Sequence, residues 1–141
     1  MPDPLRFHFE VDGENFSSAG EASVLMKKKL RQLGFSPDIM RRVSIAMYEG
    51  EINMVIHAHG GTADVTVGSE EIEIVLSDRG PGIPDVALAM QEGYSTACDS
   101  IRALGFGAGM GLPNMKKYTD SMQIDTQVGV GTTITMKVKL N

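Results

Sequence analysis

Cysteine is almost absent from this chain of 141 residues. The single cysteine, Cys98, excludes an internal disulfide framework and any zinc site built from several cysteines. Positive charge is also scarce: 13 Lys and Arg stand against 18 Asp and Glu, for a net charge of −5 and no dense basic patch. This balance predicts no nucleic-acid partner and no binding to an anionic membrane.

Long apolar runs are missing as well. No segment approaches the length of a membrane span. Residues 1–4 lack the positive charge and apolar stretch that begin a secretory signal peptide. We therefore expect a cytoplasmic protein with no membrane partner.

The remaining composition is that of a globular protein, with 42% hydrophobic and 22% charged residues. A length of 141 residues predicts one domain, spanning residues 1–141, around one core. Ten methionines are many for this length, and we interpret them as adaptable filler of that core.

The hydrophobic patterns predict a series of strands and helices. Residues 5–11 alternate as in a half-buried strand. A helix is expected from about residue 19 to 33, since Ser18 and Glu21 have the spacing of a capping box. Ser36 and Pro37 open a second helix, which is expected to end at residues 60–61.

Two hairpins and a third helix complete the pattern. Residues 63–67 and 72–76 alternate around a short turn, as do residues 122–126 and 134–140. A short helix at residues 84–91, a loop at 93–109 and a helix at 112–118 lie between the hairpins. Helices kept apart from mainly antiparallel strands predict a two-layer α+β sandwich.

The second predicted helix carries a polar stripe. Glu49, Asn53 and His57 follow one another at intervals of four residues and therefore share one side of the helix. An amide oxygen can be one ligand of a Mg²⁺ ion that keeps several waters and holds phosphates. A carboxylate one turn away can orient or deprotonate a nucleophile. Alone, the stripe also suits the solvated side of an amphipathic helix.

A second group of candidate residues lies at the end of a predicted strand. Asp78 can accept a hydrogen bond from the amino group of adenine, and Gly80 and Gly82 let a flat base approach the backbone. An ordinary turn is the alternative interpretation. Thr132 has the strand parity of Ile134, so its hydroxyl is expected to point inward, near the same base.

Glycine recurs at every second position before the third helix. Backbone N–H groups of Gly105, Gly107, Gly109 and Gly111 could cradle phosphates at a helix start. The segment has no Gly-Lys-Ser/Thr, which excludes a P-loop. Its glycine spacing and its surroundings do not fit a dinucleotide-binding fold.

These three motifs resemble the N, G1 and G2 boxes of the GHKL ATP-binding superfamily, which contains gyrase, Hsp90, histidine kinases and MutL. The matching segments are EGEINMVIH at 49–57, DRGPG at 78–82 and GAGMGLP at 107–113. Within the superfamily, the chain resembles the bacterial anti-sigma-factor and switch-protein serine kinases, whose lid is similar to EGYST at 92–96. The resemblance extends from the first strand to Leu140 and implies a Bergerat-type fold, with a mixed, mainly antiparallel sheet covered on one face by helices.

The resemblance also implies roles. Asn53 would be the Mg²⁺ ligand and Glu49 the general base, with ATP and Mg²⁺ as cofactors. The other implied nucleotide-binding positions are His57, Asp78, Gly80, Gly82, Gly105, Gly107, Gly109, Met110, Gly111, Leu112 and Thr132. The implied partners are an antagonist protein of the anti-anti-sigma, STAS type and a sigma factor. A homodimer formed through the first strand and first helix is implied as well.

Three functions follow as hypotheses. The first is a protein-serine kinase and anti-sigma factor that phosphorylates an antagonist protein with Mg-ATP. The second is a non-catalytic, nucleotide-gated module that sequesters a sigma factor or switch protein. A detached histidine-kinase catalytic domain ranks last, because no segment offers a dimerising helical hairpin with a phospho-acceptor histidine.

Overall fold

The structure, a computed structural model, describes residues 3–13, 20–58, 60–83, 86, 90 and 111–140, and only the backbone of residues 57 and 58. We number its elements in chain order. They are β1 (Leu5–Asp12), α1 (Glu21–Gln32), α2 (Pro37–Ala58), β2 (Gly60–Val67), β3 (Glu71–Asp78), α3 (Gly111–Lys117), β4 (Ser121–Gln127) and β5 (Gly131–Lys139). The predicted helix at 84–91, apart from residues 86 and 90, and the predicted loop at 93–109 lie outside the described residues.

The five strands form one sheet in the order β1-β2-β3-β5-β4. Each neighbouring pair is antiparallel, so the described sheet is not mixed as the resemblance had implied. Asp12 at the end of β1 pairs with Gly60 at the start of β2. The helix pair α1–α2 therefore begins and ends at the same end of the sheet, which makes β2 antiparallel to β1. The α+β class is confirmed.

The core lies between one face of the sheet and the helices. Alternate residues of the strands are buried there, such as Val65, Ile74 and Met136. Each buried side chain of this size contributes about 1.5–3 kcal/mol through removal of apolar surface from water. Five methionines belong to the core: Met26, Met47, Met54, Met115 and Met136. The interpretation of methionine as core filler is confirmed for these residues.

The start of α1 is held differently from the prediction. The residue that precedes the helix is Gly20, with φ 96°, and Ser18 lies outside the described residues. Oxygens of the Glu51 carboxylate accept hydrogen bonds from the N–H groups of Gly20 (3.0 Å), Ala22 (3.2 Å) and Ser23 (2.7 Å). The prediction of a capping box at Ser18 and Glu21 is wrong, because Gly20 directly precedes the helix and the carboxylate that caps it belongs to α2, about 30 residues later in the chain. A carboxylate suits this position because the N-terminal end of a helix is its positive end.

Helix α2 begins as predicted. It starts at Pro37, and the N–H of Ile39 donates to the Ser36 hydroxyl at 3.3 Å. The helix is 22 residues long and carries the polar stripe of Glu49 and Asn53 above the sheet. Within the described part of the chain, no helix combines the length and apolar character that crossing a membrane requires.

Candidate functional site

Helix α3 packs against the polar stripe of α2. A Cβ atom added to Gly111 would lie 2.7 Å from Nδ2 and 2.8 Å from Oδ1 of Asn53. Only glycine therefore allows the start of α3 to approach this amide so closely. The backbone of α2 continues to His57 and Ala58, where side chains are outside the description.

Glu49 lies one helical turn before Asn53 and is half-buried. Burial raises the pKa of its carboxyl, and a hydrogen bond from the side chain of Asn114 in α3 lowers it. A carboxylate with a raised pKa is a stronger base than an ordinary glutamate. The pair of Glu49 and Asn53 thus offers a base and an amide oxygen on one side of α2, facing α3.

Asp78 ends β3 and pairs in register with Thr132 of β5. Its Oδ1 accepts hydrogen bonds from the N–H of Gly80 at 2.9 Å and from the N–H of Thr132 at 3.2 Å. Neither bond uses Oδ2. One oxygen of the carboxylate is therefore held by the protein, and the other can accept a hydrogen bond from a ligand.

The turn between β4 and β5 supports the loop that follows Asp78. The N–H of Gly129 donates to the carbonyl of Pro81 at 2.9 Å, and the N–H of Ile83 donates to Thr126 Oγ1 at 2.8 Å. Thr126 Oγ1 also shares a hydrogen bond of 2.9 Å with Thr132 Oγ1. Gly82 has φ 79°, and a Cβ there would lie 2.6 Å from the carbonyl oxygen of Gln127. Packing against the hairpin, as well as backbone conformation, requires glycine at this position.

The two halves of the site lie on the same side of the sheet. A Cβ atom on Gly50, next to Glu49, would collide with Leu76 of β3. Leu76 is two residues before Asp78, so both side chains point toward the helices. The structure therefore places Glu49, Asn53, Asp78 and Thr132 on the face that α2 and α3 cover.

The remaining predicted site residues are placed only in part. Gly105, Gly107, Gly109 and Met110 lie outside the described residues, so the phosphate loop stays a prediction. Leu112 is buried in the hydrophobic core, and only its backbone is available to a ligand.

Two residues that contact the site were missed in the sequence. Asn114 reaches Glu49 only because α3 packs against α2, and no local sequence pattern predicts that contact. Thr126 could have been found, because it shares strand parity with Met122 and Ile124 and pairs with Thr132 across a predicted hairpin.

Comparison with known proteins identifies relatives of the chain. Residues 41–141 match the family model described as "Histidine kinase-, DNA gyrase B-, and HSP90-like ATPase". The serine/threonine-protein kinase RsbT of Bacillus subtilis is 30% identical over 117 residues, which cover 80% of this chain and 82% of the relative. An anti-sigma F factor of Clostridium beijerinckii is 27% identical over 126 residues, which cover 85% of each chain.

Solved structures share the fold. The RsbU and RsbW domains of a Mycobacterium tuberculosis protein match with a TM-score of 0.64 and 17% identity, covering 96% of this chain and 32% of that one. The mycobacterial sensor histidine kinase MprB matches with a TM-score of 0.54 and 16% identity, covering 96% and 97%. At such identities the likeness concerns architecture alone.

Proposed function

Because the chain belongs to the histidine kinase-, DNA gyrase B- and HSP90-like ATPase family, we propose that it binds Mg²⁺-ATP and phosphorylates a serine of a partner protein. One observation carries the proposal. The half-buried carboxylate of Glu49 lies one helical turn from the amide of Asn53, and both face the helix that follows the glycine-rich segment. Relatives named as a serine/threonine-protein kinase and as an anti-sigma F factor support it.

The described residues fit the nucleotide. Asp78 Oδ2 is the acceptor for the adenine amino group, beside the backbone of Gly80 and Gly82 and close to Thr132. The amide oxygen of Asn53 is the protein ligand for Mg²⁺. When bound, the ion neutralises charge on the phosphates during transfer. The segment from Gly105 to Leu112 and His57 of α2 complete the proposed binding positions.

Glu49 is the proposed general base. As the serine oxygen forms its bond to the γ-phosphorus, the bond between that phosphorus and the bridging oxygen of ADP breaks, and the serine proton passes to Glu49. Burial strengthens Glu49 as a proton acceptor by raising its pKa, provided that the group stays ionised at the working pH.

The names of the relatives and the exposed apolar surface support the proposed partners. We infer a cytoplasmic regulator whose substrate is an antagonist protein of the STAS type and whose further partner is a sigma factor. Four exposed apolar side chains on β1, on α1 and directly after α1 support a homodimer through these elements. They are Leu5, Val24, Leu25 and Leu33.

Phosphotransfer to candidate antagonist proteins, measured with γ-labelled ATP, tests the proposal. The Glu49→Gln variant should transfer phosphate about 10²- to 10⁴-fold more slowly, the usual contribution of a general base. Its affinity for Mg²⁺-ATP should stay within about threefold of the unaltered protein, since the base does not hold the nucleotide. Glu70→Gln, at an exposed turn between β2 and β3, is the matched control and should transfer at the normal rate.

A second function is favoured by the relative named anti-sigma F factor. In that case the protein captures its partner in a nucleotide-dependent way without chemistry. Glu49→Gln distinguishes capture from phosphotransfer. If the protein acts by capture alone, the substitution leaves regulation of the partner in cells unchanged. Tight Mg²⁺-ATP binding without transfer to any candidate partner would also contradict the kinase proposal.

A further inference from the structure

Helix α3 runs antiparallel to α2 and contacts it at several positions along its length. Gly111 lies against Asn53, and a Cβ on Gly50 would lie 3.6 Å from the Sδ of Met115. Farther along, the Arg41 guanidinium is 5.8 Å from the centre of the Tyr118 ring. Residues later in α3, and Tyr118 directly after it, therefore contact residues earlier in α2. Asn114 follows Gly111 by three residues, and Glu49 precedes Asn53 by four residues. Asn114 and Glu49 therefore lie on the facing sides of the two helices, next to each other.

We propose that Asn114 is a positioning residue for phosphotransfer, whose side-chain amide donates a hydrogen bond to Glu49 and holds that carboxylate in place. The inference rests on the proposed function, because it assigns a partner to the proposed base. Asn114 itself touches neither the nucleotide nor the substrate in this scheme.

Two opposing effects act on the Glu49 carboxylate. Burial favours its neutral form, and the N–H donated by Asn114 favours its charged form. A general base must be ionised before it can accept a proton. Asn114 thus keeps Glu49 ionised in a half-buried place, where the same burial makes it a stronger base.

The position of Asn114 also links the base to the proposed metal ligand. The start of α3 contacts the Asn53 amide, and the next turn of the same helix contacts Glu49. Because a helix moves as one rigid element, a single placement of α3 orients both groups.

The test measures the titration of Glu49 in the full chain. Carbon-detected NMR follows the Glu49 carboxyl in the unaltered protein, in Asn114→Leu, which removes the donor at similar size, and in Asn114→Asp, which adds like charge. Thr119→Val is the control on the same stretch of chain, because it removes only the bond from the Thr119 hydroxyl to the Met115 carbonyl.

The expected direction follows from the donor. Without it, the pKa of Glu49 rises in Asn114→Leu and rises further in Asn114→Asp, whereas Thr119→Val leaves it unchanged. Glu49 is then protonated over a wider acidic range. On the acidic side of the pH profile the transfer rate of Asn114→Leu should fall about three- to tenfold, and at higher pH the loss should be smaller.

Two outcomes overturn the proposal. One is an unchanged Glu49 titration in both Asn114 variants. The other is a loss of transfer that is equal at every pH, which would mark Asn114 as merely structural. The NMR titration requires no phosphotransfer, so it can succeed even where the kinase proposal fails. If Asn114→Leu does not fold, the half-exposed position still permits the Asn114→Asp comparison.

Discussion

Three carboxylates near the site have different surroundings, and each set of surroundings suits a different role. Glu49 is half-buried and receives a side-chain donor from Asn114. Glu51, only 2% exposed, receives three backbone donors at the start of α1. Asp78 accepts two hydrogen bonds from the described residues, and both use Oδ1. The same functional group is thus suited to a base, a structural cap and a ligand acceptor.

Asp78 provides a prediction at the scale of one residue. Asp78→Asn should weaken Mg²⁺-ATP binding at least tenfold in titration calorimetry, since a hydrogen bond to a charged group contributes about 1.5–3 kcal/mol. The substitution also puts an amide donor where the adenine amino group would donate. Asp38→Asn, an exposed acid in the first turn of α2, is the control and should bind normally. Equal affinities for all three proteins would contradict the adenine role.

Candidate residues were predictable where the chemistry is local. Glu49 and Asn53 share one side of a helix because of their spacing. Asp78 lies at the end of one strand and Thr132 near the start of another, and both strands show a clear alternation of apolar and polar residues. Asn114 could not be predicted, because its partner depends on how α3 lies on α2. The roles of the glycines from Gly105 to Gly109 stay predictions.

At the scale of elements, α1 depends on α2 for its beginning. Gly20 offers no side chain to cap the helix, and the Glu51 carboxylate satisfies three N–H groups there. Burial raises the pKa of Glu51, and these bonds lower it again. Glu51 is two residues from both Glu49 and Asn53, so the same turns of α2 anchor α1 and carry the proposed catalytic stripe.

Glu51→Gln tests this connection. We expect a loss of about 1–3 kcal/mol in the free energy of unfolding, because the amide places an N–H group among buried N–H donors and loses the charge at the helix start. Urea denaturation followed by circular dichroism measures the change. Glu21→Gln, an exposed acid in the first turn of α1, should cost at most about 0.5 kcal/mol. Equal stability of the two variants would refute the interhelix cap.

The described part of the molecule is a sheet with helices on one face, and the order of the strands determines where the proposed site lies. β3 and β5 are neighbours, so the end of β3 and the start of β5 meet and bring Asp78 beside Thr132. The site therefore depends on pairing between strands that are more than 50 residues apart in the chain. Binding there is expected to stabilise the entire fold.

Mg²⁺-ATP should accordingly raise the melting temperature of the protein. At a nucleotide concentration of about 100 times Kd, the gain in free energy is about 2.7 kcal/mol, which corresponds to roughly 5 °C or more. Differential scanning fluorimetry with Mg²⁺-ATP, Mg²⁺ alone and no ligand measures it. Asp78→Asn should show a much smaller rise, and a rise with Mg²⁺ alone would assign the effect to the ion.

The sequence by itself determined the described helices and strands and the α+β class, because strand alternation, helix spacing and turn residues are local properties of the chain. Only the tertiary structure decided which distant groups meet. Glu51 caps a helix that begins 30 residues earlier, and Asn114 reaches Glu49 from a separate helix. Such contacts depend on the packing of helices and the order of strands, which hydrophobic periodicity does not specify.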